Sequence, residues 1–370
     1  MIDWQHPGPA APLARGCQSW TGLPADWDLV GGRRAKPSQG LGAFRTNGVM
    51  FLSIVPESLE FSGNTPRSIG NPVSHAMQNN SIPNLDRQTV DSFGDEWTRF
   101  DQSEMSDAEA AVIFGEYFSV FPWDALPDQA RGFDMGCGSG RWARLVAPRV
   151  GHLHCVEPSR ALDVARQALQ AHDNVSFHQA SLDDVPIDPG SQDFGYSLGV
   201  LHHVPDTSSA IQSCVALLKP GAPLLLYLYY AFDNRPLPFR IAWRASDWLR
   251  RGICRLPHGV KHLATDVLAL LVYLPLARGS RVLELMGFSV SNIPLSYYRA
   301  RSWYTIRTDS SDRFGTPLEK RFRRHEITAM MESAGLGSIV FSERAPYWCA
   351  VGHKSAACGP AAPARAPSSE

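Results

Sequence analysis

The chain has 370 residues, 44% of them hydrophobic and 10% aromatic, which is enough apolar material for one large domain or two ordinary ones. Only 19% are charged and the formal net charge is −1, so the composition disfavours an RNA-binding class, which usually shows a basic excess. Seven scattered cysteines without a C-x-x-C pair predict reduced thiols in a cytoplasm, and neither a zinc ribbon nor a disulfide framework.

The first segment, residues 1–84, contains nine prolines and ten glycines and shows no sustained helical or strand period. Such a segment is predicted to be a disordered or loosely attached extension. The first residues lack the basic flank and apolar stretch of a signal peptide, and translation from Met77 is an alternative start. The tail, residues 355–370, is rich in Ala, Pro and Ser and is also predicted to be disordered.

The middle of the chain alternates short apolar runs with helical stretches, which indicates βαβ units around a parallel sheet. The predicted fold class is α/β: a Rossmann-like, doubly wound sheet that is mostly parallel, with an antiparallel terminal hairpin. The core is assigned to residues 85–230 and 306–354. Its predicted strands cover residues 132–135, 152–156, 175–178, 193–198, 224–229, 338–341 and 347–351, and a helix is predicted over residues 319–334.

Residues 231–305 interrupt this alternation with a block that is rich in Arg, Leu and aromatic residues, predicted to be a helical cap inserted after the fifth strand. A helical projection places Arg240, Arg244 and Arg251 on one face beside an apolar face. The cap could border an apolar pocket, dock on an anionic membrane surface or bind an anionic acceptor. The apolar run 267–277 is shorter than the ~20 residues of a membrane-crossing helix, so a soluble protein is expected.

The strongest local signal lies between the first strand and the first helix of the core. There, Asp134 stands two residues before a turn with glycines at alternate positions, Gly136, Gly138 and Gly140. Alternating glycines let the backbone turn tightly and approach a ligand closely. A nicotinamide-binding fingerprint would need a glycine where Arg141 stands, and no Gly-Lys-Ser/Thr of a phosphate-binding loop follows.

This turn resembles motif I of the class I S-adenosylmethionine (SAM) dependent methyltransferases. Glu157, which ends the second strand, is similar in place to the acid that accepts both ribose hydroxyls in that family. In the loop after the third strand, Ser181 stands where the family usually has an acid, so either Ser181 or Asp183 is expected near the adenine. Residues 193–205, which include Leu198, resemble motif IV of the ubiquinone- and menaquinone-biosynthesis methyltransferases.

The resemblance covers about residues 88–230 and 315–354 and implies SAM as the cofactor. It also implies that the helix carrying Trp97 and Arg99 lies over the cofactor pocket, with Arg99 pairing the methionine carboxylate. Packing of the aromatic side chains of this helix on the core is the alternative.

Candidate catalytic and acceptor-binding residues follow the fourth and fifth strands, where open α/β sheets bind ligands. His202 and His203 can titrate near neutral pH, so one of them is a candidate general base, with a structural or gating role as the alternative. No metal site is predicted, because His152 and His154 share a strand face without a third ligand in view. The candidate acceptor-binding residues are aromatic and come from the end of the fifth strand and from the cap: Tyr229, Tyr230, Tyr297, Tyr298 and Trp303.

The sequence therefore predicts a cytoplasmic SAM-dependent methyltransferase that acts on a small or lipid-like molecule, at oxygen or nitrogen. Peripheral contact with an anionic membrane surface is compatible with the cap, whereas nucleic acid is a disfavoured partner. Two alternatives stay open, a methyltransferase for RNA or protein and a SAM-binding partner protein without catalysis. No motif in the chain identifies the acceptor or the oligomeric state.

Overall fold

A computed structural model describes residues 84–356, in which one sheet organises the fold. Its strands are β1 (Arg131–Met135), β2 (His152–Val156), β3 (Val175–His178), β4 (Phe194–Leu198), β5 (Pro223–Tyr227), β6 (Leu336–Phe341) and β7 (Cys349–Lys354). The order is β3-β2-β1-β4-β5-β7-β6, and β7 runs antiparallel to both of its neighbours while β1 to β5 are parallel. The predicted fold class is therefore confirmed.

Helices cover both faces of this sheet and form the inserted block. They are α1 (Arg87–Arg99), α2 (Asp107–Tyr117), α3 (Ala143–Val146), α4 (Ala161–Ala168), α5 (Thr207–Leu217), α6 (Leu237–Ile253), α7 (His258–Leu268), α8 (Leu274–Leu285), α9 (Trp303–Gly315) and α10 (Arg324–Ser333). The predicted extension and tail lie, apart from Asn84 and residues 355–356, outside the described residues, so their disorder stays a prediction.

The central strands are apolar on both faces because each face is covered by a helical layer. Along β5, Leu224 and Leu226 pack into one hydrophobic cluster, whereas Leu225 between them packs into the other. β4 is buried along its whole length. This double burial explains why the strands appear in the sequence as continuous apolar runs.

The inserted block contains a helix far longer than its apolar run indicated. A π turn over Ala269–Tyr273 joins α7 to α8, and one helix of 28 residues runs from His258 to Leu285. The expectation that the apolar run 267–277 is too short to cross a membrane is therefore wrong on length. The helix continues through Pro275, the second residue of α8, which directly follows the π turn. By length and composition alone, this helix could cross a membrane.

One face of this long helix is packed against the rest of the protein. Lys261, Thr265, Ala269, Tyr273 and Ala277 are all buried, and their spacing of four residues places them on one side of the helix. Within this face, α7 and the π turn lie against α9, whose own residues are mostly buried, whereas α8 packs on the turn Ser296–Ala300. α9 begins before the predicted boundary between cap and core at residue 305 and ends ten residues beyond it, so the two parts share this helix.

The predicted helix over residues 319–334 is shorter in the structure. Phe322 forms a β-bridge with Tyr230, and its amide donates to the carbonyl of Tyr229 at 2.8 Å. Because this bridge holds the backbone extended, the helix α10 begins only at Arg324. The same bridge fixes the segment after β5, which carries the predicted acceptor-binding residues Tyr229 and Tyr230.

Candidate active site

One cavity of about 600 Å³ lies at the carboxyl ends of β1, β4 and β5. Its lining joins the glycine turn after β1 to aromatic residues of the inserted block, so the two predicted half-sites face the same space. Open α/β sheets bind ligands at this edge, and small-molecule sites have volumes of roughly 300–1,000 Å³.

The glycine turn has a backbone shape that side chains would obstruct. Gly136 has a φ of +81°, and a Cβ added there would lie 2.5 Å from the side chain of Val200. Gly138 has a φ of +52°, and its Cβ would lie 3.2 Å from Nε1 of Trp97. Both positions therefore favour glycine on conformation and on space, and the turn presents bare backbone to the cavity.

Glu157 is fixed at the end of β2 by two backbone donors. The amide of Gly138 donates to Oε2 at 3.1 Å, and the amide of Ser159 donates to Oε1 at 3.0 Å. Burial raises the pKa of the Glu157 carboxyl, and these hydrogen bonds lower it. Each oxygen keeps a second lone pair that can accept a ribose hydroxyl from the cavity side. The glycine turn and this carboxylate together fit the adenosyl part of SAM.

The helix α1 covers this end of the cavity. Trp97 lies against Gly138 and lines the cavity together with Phe93. The ring of Phe93 stands edge-on to that of His203, with centroids 4.9 Å apart. The aromatic side chains of α1 thus contact the site itself, and the packing alternative and the ligand-contact prediction describe the same surface.

The acceptor end of the cavity carries a buried pair of acid and hydroxyl. Tyr229 donates its hydroxyl proton to Oδ2 of Asp312, while Oδ1 of Asp312 is buried without a hydrogen-bond partner among the described residues. Burial raises the pKa of Asp312, the bond from Tyr229 lowers it and the charge of Asp309 raises it, with a resulting pKa of about 7. A carboxyl of this pKa can exchange a proton at neutral pH.

The two predicted histidines occupy different environments. Nδ1 of His203 donates to the carbonyl of Leu318 at 2.6 Å, because a carbonyl can only accept, and burial lowers the pKa of His203 to about 4. His203 is therefore neutral at pH 7, with Nε2 as an acceptor, and it lines the cavity. His202 is fully buried behind Tyr229, with ring centroids 3.8 Å apart, and does not line the cavity. Its position is that of a packing residue.

A family described as a methyltransferase domain matches residues 133–226. A ubiquinone biosynthesis O-methyltransferase of Xanthomonas campestris pv. campestris (strain B100) is 30% identical over 188 residues, which cover 50% of this chain and 74% of that protein. The chain belongs to the class I SAM-dependent methyltransferases. A ubiquinone biosynthesis O-methyltransferase of Marinobacter nauticus is 33% identical over 125 residues, which cover 32% of this methyltransferase and 51% of that protein.

Solved structures resemble the methyltransferase more loosely. An O-methyltransferase family protein from Burkholderia thailandensis is 16% identical, covers 72% of this chain and 59% of that chain, and has a TM-score of 0.41. A score of this size carries no functional conclusion. SAM as the cofactor follows from the family itself.

Most of the predicted cofactor residues of the methyltransferase face the cavity. Those that line it are Gly136, Gly138, Glu157, Ser181, Leu198 and Trp97. Gly140 instead packs against Ala165 and Leu169, with a Cβ position 3.1 Å from Leu169. Asp134 lies behind the turn, only 1% exposed, where burial raises its pKa to about 8.

Asp183 accepts a hydrogen bond from the backbone amide of Asn84 at 2.7 Å. Of the two candidates for the adenine contact, only Ser181 therefore lines the cavity.

Arg99 does not reach the cavity lining. Its guanidinium pairs with Asp266 of α7 at 2.6 Å, which turns the side chain towards the inserted block. Arg141 lines the cavity in its place, and has no carboxylate within 4.0 Å among the described residues. Arg141 is therefore the better candidate for the methionine carboxylate. The sequence indicated this position, since Arg141 directly follows the glycine turn and stands where the nicotinamide fingerprint has its last glycine.

The predicted acceptor-binding residues also include some that line the cavity and one that does not. Tyr229, Tyr230, Tyr297 and Tyr298 line the cavity, whereas Trp303 is 40% exposed and does not. Sequence reasoning missed Asp309 and Asp312, which both line the cavity from α9. Two acids three residues apart on one helix face were a usable signal, because such a spacing directs both side chains to the same side.

A second cluster, away from the cavity, could hold a metal ion. Nδ1 of His258 and Nε2 of His262 lie 2.8 Å and 2.6 Å from the same oxygen of Asp95. The ligand atoms of these three residues are all within 4.8 Å of one another. Arg160 lies 3.1 Å from the other oxygen of Asp95, and its positive charge opposes a cation there. The absence of a metal site therefore stays a prediction.

Proposed function

We propose that the methyltransferase transfers the methyl group of SAM to an O–H or N–H group of a small or lipid-like molecule. The observation that carries this proposal is the single cavity, which joins the glycine turn and Glu157 to an aromatic, acid-bearing pocket under the inserted block. SAM, when bound, supplies a methyl group on a positively charged sulfur. The protein has to bring the acceptor into line with that methyl and keep water out.

Asp312 is the proposed general base of this reaction. Asp312 lines the acceptor end of the cavity, its Oδ1 has no hydrogen-bond partner among the described residues, and the hydroxyl of Tyr229 holds the other oxygen in place. A base removes the acceptor's proton as the new bond to the methyl forms, which is worth about 10²–10⁴-fold in rate. His203 is the second candidate, but its pKa of about 4 makes it a weaker base at neutral pH.

A lipid-like acceptor is favoured by the walls of the cavity on the side of the inserted block. Val272 and Leu276 line the cavity and are each 41% exposed, so the cavity opens at an apolar part of the surface. An acceptor with a long apolar chain could keep that chain in this mouth while its head reaches Asp312. Part of the proposal is therefore that the enzyme meets its acceptor at a lipid surface.

The proposal is tested by incubating the protein with SAM and a cell extract and measuring S-adenosylhomocysteine. We expect turnover, and we expect a component of the organic-solvent fraction to gain about 14 Da, the mass of one CH₂. Pretreatment of the extract with ribonuclease should leave this product unchanged. A product found in the RNA or protein fraction would instead identify a macromolecular acceptor.

A further inference from the structure

The exposed apolar side chains of the protein are concentrated on the inserted block. Of the twenty large apolar side chains that are exposed in residues 84–356, seventeen lie between residues 237 and 288. Trp248 and Leu285 are 82% and 80% exposed, although both are residue types that fold into cores. Soluble monomers rarely expose so many apolar side chains in one region, so this surface is expected to be covered in the working protein.

A cationic groove lies beside helix α6 of the inserted block. It has a volume of about 560 Å³ and is formed by α6 and the segment 319–325. Three of its arginines, Arg240, Arg244 and Arg323, have no carboxylate within 4.0 Å among the described residues. The acids of the groove are already occupied: Asp247 pairs with Arg250 and Arg251, Glu319 pairs with Arg321 and Arg313, and Asp233 accepts from Trp348 and from the amide of Arg324.

The surplus positive charge of this groove fits a phosphate group. Guanidinium groups bind phosphate oxygens through paired, charge-assisted hydrogen bonds, and three arginines can neutralise a phosphodiester with charge to spare. The groove adjoins the cavity proposed for methyl transfer, since Trp243, Phe232 and Arg321 line both. None of Arg240, Arg244 and Arg323 lines that cavity. Phosphate binding here does not depend on catalysis.

The basic and apolar features are arranged side by side on α6. At 100° per residue, Arg240, Arg244 and Arg251 form one stripe, and the exposed side chains of Leu237, Ile241 and Trp248 form the next. A helix lying in a bilayer surface has this form, with apolar side chains below the phosphates and arginines level with them. The long helix His258–Leu285 adds a second exposed apolar stripe, while its buried face stays packed on α9 and on the turn Ser296–Ala300.

We propose that the groove between α6 and residues 319–325 binds the phosphate of an anionic phospholipid, with the exposed apolar face of the inserted block resting in the lipid. The long helix lies in the interface and does not cross the bilayer, because Lys261, Asp266 and Arg278 along it are held by partners within the protein. Val272 and Leu276, which line the cavity, are themselves among these exposed apolar side chains.

Flotation of the full-length protein with vesicles tests this surface. We expect binding to vesicles of equal parts phosphatidylcholine and phosphatidylglycerol, and much weaker binding to phosphatidylcholine alone. Replacing Arg240, Arg244 and Arg323 together by Gln should weaken binding to the anionic vesicles by about 100-fold, with a smaller effect at high salt. The control, Arg131, Arg166 and Arg344 to Gln, removes the same charge from exposed positions elsewhere and should change binding little.

Three results would overturn the assignment. Binding of inorganic phosphate or glycerol phosphate without any vesicle binding would identify a soluble anion as the ligand. Dimers in sedimentation analysis that dissociate in Trp248→Ser, together with no flotation, would show that a second copy covers the apolar face. A large loss of SAM affinity in the arginine variant would place the groove in the cofactor site. Intact SAM titration in that variant keeps a failure here distinct from a failure of the proposed methyl transfer.

Discussion

Glu157 shows how a single carboxylate is oriented before its ligand binds. Both of its oxygens already accept a backbone amide, so the side chain has little freedom to lose when a ribose arrives. Ser181, which lines the same cavity, offers one neutral hydroxyl. The two residues should therefore contribute unequally to SAM affinity.

We expect Glu157→Ala to weaken SAM binding by about 10- to 100-fold or more, since it removes two charge-assisted hydrogen bonds that contribute roughly 1.5–3 kcal/mol each. Ser181→Ala should weaken it only several-fold, because a neutral hydrogen bond contributes about 1 kcal/mol. Calorimetric titration of both variants measures the difference. The opposite order would show that the ribose position has been assigned to the wrong residue.

Asp312 should give the reaction its dependence on pH. As the pH rises through about 7, the carboxyl ionises and becomes able to accept a proton, so kcat is expected to rise and then level off. Asp312→Asn should lower kcat by about 10²–10⁴-fold and remove this inflection. His203→Gln should keep it, since burial holds the pKa of His203 near 4. An inflection that survives in Asp312→Asn and disappears in His203→Gln would make His203 the base.

The cofactor end of the site could be predicted from the sequence more fully than the acceptor end. Gly136, Gly138 and Glu157 stand in consecutive elements with a recognisable spacing, and all three line the cavity. Asp312 and Tyr229 are 83 residues apart and meet only because α9 folds back across the sheet end. Nothing in local spacing encodes such a contact, whereas a charged side chain in an otherwise buried helix face was visible in principle.

At the level of elements, α1 is held down by the inserted helix α7. Nζ of Lys261 donates to the hydroxyl of Ser92 at 3.0 Å, and Asp266 pairs with Arg99 of α1 and Arg307 of α9 at 2.6 Å and 3.2 Å. Because α1 covers the cofactor end of the cavity, the inserted block acts on both ends of the site. The cap is thus more than an acceptor-binding part.

Asp266→Asn should lower the free energy of unfolding by about 1–3 kcal/mol, because it leaves two partly buried guanidinium groups without their carboxylate. SAM affinity should fall several-fold in the same variant, since Trp97 is then held less firmly over the glycine turn. Urea denaturation and calorimetric titration measure the two effects. The matched control is Asp163→Asn, whose exposed pair with Arg166 on α4 contributes about 0–1 kcal/mol.

The bounds of the strands were predicted more accurately than those of the helices of the inserted block. β2 and β3 have the predicted bounds, because their apolar runs are enclosed by turn residues. The helix His258–Leu285 was underestimated, since polar residues such as Lys261 and Thr265 are buried on its packed face and interrupt the apolar pattern. α9 was divided between two predicted regions for the same reason: its buried face is built largely of Thr and Ser.

For the molecule as a whole, the described residues that precede α1 are tied to the site. Asn84 donates its side-chain amide to the carbonyl of Asp206 at 2.6 Å, and its own side-chain oxygen accepts from the amide of Asp206 at 2.7 Å. Asn84, Leu85 and Asp86 also line the cavity. The segment before α1 is thus part of the wall of the cavity.

A shortened protein that begins at Met77 should bind SAM with the affinity of the full-length chain, because it keeps every residue of the described cavity. Removal of ten further residues, through Asp86, should weaken binding, since it takes away both the Asn84 clamp and the N-cap of α1. Calorimetric titration of the three proteins checks this. Insolubility or lost binding in the protein that begins at Met77 would show that the preceding residues support the core.

The position of β7 has a consequence for how the chain is made. β7 is the last strand in sequence, yet it occupies the place between β5 and β6, so β5 has no neighbour on that side until Cys349–Lys354 emerges from the ribosome. By then the whole inserted block has been synthesised, including the apolar stripes of α6 and of the long helix. Nascent chains therefore pass through a stage with an open sheet edge and an uncovered apolar helix pair, a combination prone to aggregation. Premature termination anywhere before Cys349 would leave a chain that can neither close its sheet nor hide that edge.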